Sequence, residues 1–230
     1  MKNVVIVAGG TGALGQAVSR RFLQDGAAVL ALYRDQAQFD ALSSSVTDSA
    51  QLLEGHRIDV TDLAAMRSLV DDAVRRFGSV EALVNTVGGY SGGLRVWQLD
   101  RQSLEHMLAL NLFALHSLCS AVVPHMLKAG RGAIVNVSSK AALVPPAGAS
   151  AYAATKAAAL AMMQSLAAEL RGTGVRANSV VPNIIDTKAN RRAMPTADVT
   201  QWTDPADIAQ TIRFLCSDDA RAIQGAAIPV

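Results

Sequence analysis

The chain has 230 residues, half of them hydrophobic, and a formal net charge of +2 at pH 7. That is enough apolar material for one sizeable core, and the scattered basic residues exclude an electrostatic nucleic-acid footprint. Cys119 and Cys216 lie far apart in apolar segments, and His56, His106, His116 and His125 contain no pair spaced i, i+4; this points to free thiols in a reducing cytoplasm and argues against a disulfide framework or a metal site.

Short β-branched runs alternate with longer helix-period segments along the whole chain, the pattern of βαβ units. The expected fold is a single α/β domain over residues 1–230, a doubly wound parallel sheet of about seven strands with helices on both faces. The first strand, Val4–Ala8, is too short for a signal-peptide core. It runs into Gly9-Gly10-Thr11-Gly12-Ala13-Leu14-Gly15 and a helical pattern over 16–25. That is the setting of a dinucleotide loop: glycines allow close backbone approach, and free N–H groups with the helix dipole receive a pyrophosphate. The domain is therefore expected to be of Rossmann type.

The second strand, Ala28–Tyr33, ends in Tyr33-Arg34. An acid at its end would bind free ribose hydroxyls and repel a 2′-phosphate, whereas the guanidinium of Arg34 can grip one. NADP(H) is expected over NAD(H), with Asp35 as the opposing charge. The third strand, 52–58, leads through Asp59 and Val60 to a helix over 63–76, capped by Thr61 or Asp62 and stopped by Gly78. The fourth, Ala82–Asn85, continues as Asn85-Thr86-Val87-Gly88 into a glycine-rich loop, 88–93.

Asp100 can cap one long helical segment through Lys128, with Asn111 in its apolar middle, where an amide without a partner would be costly. The fifth strand, Gly132–Val137, is followed by Ser138-Ser139. Segment 151–170 is apolar nearly all round. Because Lys156 would be expensive at mid-bilayer, this segment reads as a helix buried against protein or a second subunit. A sixth strand, 176–181, precedes Pro182-Asn183 and a polar loop, 188–201; Asp204-Pro205 opens a helix through Leu215, and 227–230 is the last strand. Ligands in open α/β sheets bind beyond the carboxyl ends of the strands, so the two loops are expected to form a substrate rim.

Tyr152 and Lys156 share one helical face at i, i+4, where an ammonium would favour the phenolate and bring the tyrosine toward a useful proton-transfer range. The order of glycine loop, Asp59, Asn85-Thr86-Val87-Gly88, Asn111, Ser139, Tyr152-Ala153-Ala154-Thr155-Lys156, then Pro182 with Thr187, resembles the short-chain dehydrogenase/reductase family over essentially the whole chain. The resemblance implies an oxidoreductase that moves a hydride between NADP(H) and a carbonyl or alcohol carbon, with NAD(H) as the alternative cofactor. Tyr152 would be the general acid-base. Lys156 would lower its pKa and hold the nicotinamide ribose, Ser139 rather than Ser138 would hydrogen-bond the substrate oxygen, and Asn111 would complete a water-mediated proton path from Lys156.

For the cofactor, the resemblance implies Gly9, Thr11, Gly12, Ala13, Leu14 and Gly15 around the pyrophosphate, and Tyr33 and Arg34 at the adenosine ribose. Asp59 and Val60 would lie at the adenine, with Asn85, Val87 and Gly88 along the dinucleotide and Pro182, Ile185 and Thr187 at the nicotinamide end. It also implies a cytoplasmic homodimer or homotetramer acting on a small molecule, without nucleic acid, membrane or metal. The departures from the family pattern are Ala8 for threonine, Ala13 for the second glycine, Thr86-Val87 for Asn-Ala, and Asn183 for a glycine, where asparagine can adopt positive φ.

A local likeness to dihydropteridine reductases covers Gly9-Gly10-x-Gly12-Ala13-Leu14-Gly15, Gly88-Gly89-Tyr90-Ser91-Gly92-Gly93 and especially Asp186-Thr187 through Arg191, Met194-Pro195, Ala197-Asp198 and Trp202. Those enzymes carry an acid where Tyr33 stands and lack the serine at Ser139. Three readings follow: a carbonyl reductase or alcohol dehydrogenase, a quinonoid dihydropteridine reductase-like enzyme, and an NADP(H)-sensing module without turnover.

Overall fold

The computed structural model describes residues 3–230. Seven strands, β1 (Val4–Ala8), β2 (Ala28–Tyr33), β3 (Leu53–Arg57), β4 (Ala82–Asn85), β5 (Gly132–Val137), β6 (Val175–Val181) and β7 (Ala227–Pro229), form one parallel sheet in the order β3-β2-β1-β4-β5-β6-β7. The strand order reverses between β1 and β4, the switch point beside which a Rossmann-type sheet opens a crevice.

The helices are α1 (Ala13–Gln24), α2 (Gln36–Ser44), α3 (Leu63–Phe77), α4 (Arg101–Leu108), α5 (Ala114–Ala129), α6 (Ser150–Glu169), α7 (Lys188–Ala193) and α8 (Pro205–Cys216). Side chains alternate across a strand, so β1 feeds two cores at once. Val4, Ile6 and Ala8 join Leu115, Leu118 and Met163 on the face of α5 and α6, while Val5 and Val7 join Leu14, Val18, Phe22, Ile208 and Ile212 on the face of α1 and α8. The continuous 101–129 stretch is long and apolar enough to cross a membrane, but Leu115, Leu118, Val122 and Met126 bury it against the sheet as a core helix.

Helix ends follow the side chains. Asp62, and not Thr61, caps α3 by accepting from the N–H groups of Ala64 and Ala65; Asp100 caps α4 through Ser103, and Asp204 caps α8 ahead of Pro205.

Three sequence expectations are corrected, and one strand stands apart from the rest. The long helix is interrupted by a π turn, Ala109–Phe113, which contains Asn111. Segment 188–201 is not all loop: Thr187 accepts from the Asn190 N–H and starts α7, and Val199–Gln201 forms a 3-10 turn. Among the described residues only glycines have positive φ, so Asn183 takes an ordinary conformation. Strand β3 is half-buried because it lies at the sheet edge, where Phe39 packs over Gly55.

Two glycines of like conformation separate backbone strain from crowding. Gly26 and Gly174 have φ near +76° and +79°, but a Cβ on Gly26 meets nothing within 4 Å, whereas one on Gly174 would lie 2.1 Å from the Gly130 carbonyl oxygen. Gly26→Ala is expected to lower the unfolding free energy by about 1 kcal/mol, and Gly174→Ala by roughly 1–3 kcal/mol more. Chemical denaturation of the two variants reads the difference; equal losses would contradict the crowding.

Candidate active site

The loop from Gly9 to Gly15 forms a cradle because backbone must approach backbone. Gly9 has φ +73°, and a Cβ on Gly15 would lie 2.0 Å from the Gly9 carbonyl oxygen. Gly12 is the N-cap of α1 and offers no side-chain cap, which leaves first-turn N–H groups turned toward the crevice. Ala13 begins the helix, and Leu14 is buried. The Ser19 hydroxyl donates to the Gly10 carbonyl at 3.2 Å, and Thr86 Oγ1 donates to the Ala8 carbonyl at 2.7 Å, pinning the entry to the loop. These groups fit a dinucleotide pyrophosphate.

At the end of β2, Tyr33 is buried, stacks on Phe39 and donates its hydroxyl to Gln36 Oε1 at 2.7 Å. Arg34 is exposed, and its carbonyl accepts from Arg57 Nε at 3.2 Å, which brings a second guanidinium to the same edge. Asp35 is exposed and caps α2, accepting from the N–H groups of Ala37 and Gln38 and from Gln38 Nε2. Asp59 accepts from both the N–H and the hydroxyl of Thr61, which hold its carboxyl below the usual range, and Arg34 adds to the lowering. One oxygen of Asp59 thus serves the local turn, and Val60 belongs to the core beneath.

Four elements bring the reacting side chains together. Ser138 and Ser139 leave the end of β5, and Tyr152 and Lys156 sit in the first turns of α6. Asn111 projects from the π turn, a widened turn that recurs at functional sites. Gly88 lies where they meet: a Cβ there would be 2.9 Å from both Asn111 Oδ1 and Lys156 Nζ. The amide of Asn111 is fully engaged, Oδ1 accepting from the Gly89 N–H at 3.0 Å and Nδ2 donating to the Gly89 carbonyl and Thr155 Oγ1, each at 3.1 Å.

The two serines have separate surroundings. Ser138 Oγ reaches back to the Lys156 carbonyl at 3.5 Å, while the Ser139 hydroxyl interacts with the phenol of Tyr152.

The electrostatics depart from the expectation that Lys156 lowers the tyrosine. Burial pushes the Tyr152 phenol up, Ser139 draws it back, and Tyr90 adds to the rise. Burial also brings Lys156 down to about 8, and its ammonium donates to the Val137 carbonyl at 2.9 Å. In the free protein the lysine is thus committed to backbone, and desolvation governs the phenol.

The remaining expected residues frame the crevice. Asn85 accepts from the Val87 N–H at 3.1 Å, and the Pro182 carbonyl accepts from Lys140 N–H at 2.9 Å. Ile185 pairs with Thr203 in a short bridge, and Thr187 caps α7. Asp186 holds Arg191 through two hydrogen bonds of 2.5 and 2.6 Å. Sequence reasoning missed Arg57, Thr155 and Tyr90. Arg57 could have been found from the sheet order, since it pairs in register with Tyr33; Tyr90 stood out only as part of the glycine-rich stretch similar to the dihydropteridine reductases.

A short chain dehydrogenase family model matches residues 3–198. The chain is 29% identical to a 3-oxoacyl-[acyl-carrier-protein] reductase of Thermotoga maritima, covering 99% of this chain and 95% of that one. It is 32% identical to 2,5-dichloro-2,5-cyclohexadiene-1,4-diol dehydrogenase of Sphingobium indicum, covering 99% and 94%. In fold it is similar to ElxO with NADP bound, with a TM-score of 0.94 at 23% identity over 100% of this chain and 97% of the other, and to NAD+-bound xylitol dehydrogenase, with a TM-score of 0.91 at 22% identity over 99% and 97%. The chain belongs to the short-chain dehydrogenases and is an NAD(P)-dependent oxidoreductase.

Proposed function

We propose that this enzyme transfers a hydride between NADP(H) and a carbonyl or alcohol substrate, with Tyr152 as general acid-base. The observation that carries the reading is the meeting of Asn111 and Lys156 at Gly88, with Tyr152 one turn from the lysine on α6 and Ser139 beside its phenol. A nicotinamide bound there would supply or accept the hydride. In the reducing direction Tyr152 gives its proton to the substrate oxygen, and the Ser139 hydroxyl donates a hydrogen bond to the same atom. Burial keeps the phenol protonated in the free protein, ready to act as the acid. Lys156, which in the free protein donates to the Val137 carbonyl, would supply a donor for the ribose hydroxyls of the bound cofactor. Asn111 positions Gly89 and so the loop that carries Gly88 past the lysine.

The NADP(H) preference is supported by Arg34 and Arg57 at one edge and by the engagement of Asp35 in its own helix cap. Gly9, Thr11, Gly12, Ala13, Leu14 and Gly15 would hold the pyrophosphate, with Asp59 and Val60 toward the adenine and Pro182, Ile185 and Thr187 toward the nicotinamide. The interaction of Ser139 with the phenol favours carbonyl chemistry over a pterin reductase, and a cofactor sensor has no use for the quartet. We also read the chain as a cytoplasmic homodimer or homotetramer. An open groove between α5 and α6, with Cys119, Val123, Met162 and Leu166 in its walls, suits a second copy.

Tyr152→Phe is expected to cut kcat/KM for ketone reduction by about 10²–10⁴ while NADPH affinity stays within a few-fold; near-wild-type turnover would sink the assignment. Arg34→Ala and Arg57→Ala should each raise the KM for NADPH by roughly ten- to a hundredfold with little effect on NADH, and Tyr33→Asp should move preference toward NADH. Unchanged cofactor ratios would contradict the phosphate site.

Lys156 yields a stability signature with a definite sign. Between about pH 8, where the folded lysine releases its proton, and the ordinary value of 10.5, the unfolded chain holds more protons, so stability gains a rising contribution with pH. Below pH 8 the buried charge is carried in full and that gain is absent. Denaturation of wild type and Lys156→Met at pH 8 and 9.5 should show a smaller upward slope in the variant; equal slopes would place the lysine pKa elsewhere.

A further inference from the structure

Tyr90 is 71% exposed, yet its ring stands 5.0 Å from that of Tyr152, centroid to centroid, and at 70° to it. The ring is held on both sides in sequence. On one side Asn111 binds the backbone of Gly89. On the other, the Gly93 N–H donates to the Gly148 carbonyl at 2.8 Å, and Leu94 pairs with Ala149, the residue that precedes α6. The hydroxyl end of Tyr90 lies over Gly92, where a Cβ would come within 2.2 Å of it. The loop is thus tied to the helix that carries Tyr152, and a largely exposed aromatic ring stands beside the ring of Tyr152 before any substrate arrives.

The surroundings are apolar. Leu94, Leu143 and Val144 are exposed on the segments flanking this ring and Ser139. Segments 86–99 and 138–150 contain no acidic residue, and their only charged side chains are Arg95, stacked over Trp97, and Lys140.

We propose that Tyr90 is a specificity-determining residue that selects flat, conjugated carbonyl compounds, namely aryl ketones and aldehydes and the corresponding alcohols. The substrate ring lies against the open face of Tyr90 while its oxygen meets Tyr152 and Ser139. The inference rests on the carbonyl reading above and adds the class of substrate to it. A saturated ring of the same size buries similar area but forgoes the aromatic pairing, worth roughly three- to tenfold in affinity.

Acetophenone and cyclohexyl methyl ketone make the comparison. Wild-type protein loaded with NADP+ is expected to bind acetophenone about three- to tenfold more tightly by calorimetry, with a similar ratio of kcat/KM when NADPH is supplied. Tyr90→Leu removes the preference and Tyr90→Phe retains it. Tyr152→Phe abolishes turnover of both ketones but keeps the binding ratio, so loss of the acid-base reading and loss of ring selection give different results. No acetophenone binding, a wild-type ratio near one, or a ratio that Tyr90→Leu leaves unchanged overturns the proposal.

Discussion

The hydrogen bond from Asn85 Nδ2 to Asn136 Oδ1, 2.9 Å long and buried between β4 and β5, marks the level on which the site is built. Ala8, Asn85, Asn136 and Ser179 are register partners across four neighbouring strands. The chain leaves the sheet just beyond this rung each time, toward the glycine cradle, toward Gly88, toward Ser138-Ser139 and toward Pro182. Side chains alternate along a strand, so a slip of one residue would send both asparagines to the opposite face and detach Asn85 from the Val87 N–H. The level at which four parallel strands end therefore decides whether cofactor and reacting groups can meet.

Burial supplies the second constraint. It pushes Lys156 down and Tyr152 up, so each is drawn toward its neutral form in the free protein. The local partners pull against burial: the Val137 carbonyl accepts from the lysine ammonium, and the Ser139 hydroxyl draws the phenol back down. Asn111 acts at one remove. Its amide would be costly inside an apolar helix, and the π turn lets it spend every hydrogen bond on Gly89 and Thr155, so that the loop beside the site is held by the same device that satisfies the amide.

Much of the fold was readable because parallel strands buried on both faces leave an unbroken apolar signal, as in Val4–Ala8 and Ala28–Tyr33. Caps such as Asp100 and Asp204 were readable because they act within three residues of themselves. The errors share a cause. The π turn at Asn111 leaves the helical pattern nearly intact while inserting a residue, and α7 is too short and polar to declare itself.

By itself, the order of residues determined the alternation of strands and helices, the glycine loop, the pairing of Tyr152 with Lys156 on one helical face, and the family. Those features rest on local periodicity, local capping and short spacings. Only the tertiary structure decided that Arg57 joins Arg34, that Lys156 turns to a carbonyl, and that Tyr90 stands against Tyr152. Each of these depends on how far a side chain reaches across strands and loops distant in sequence, and on how much water the packing removes, and neither quantity is written in the spacing of residues along the chain.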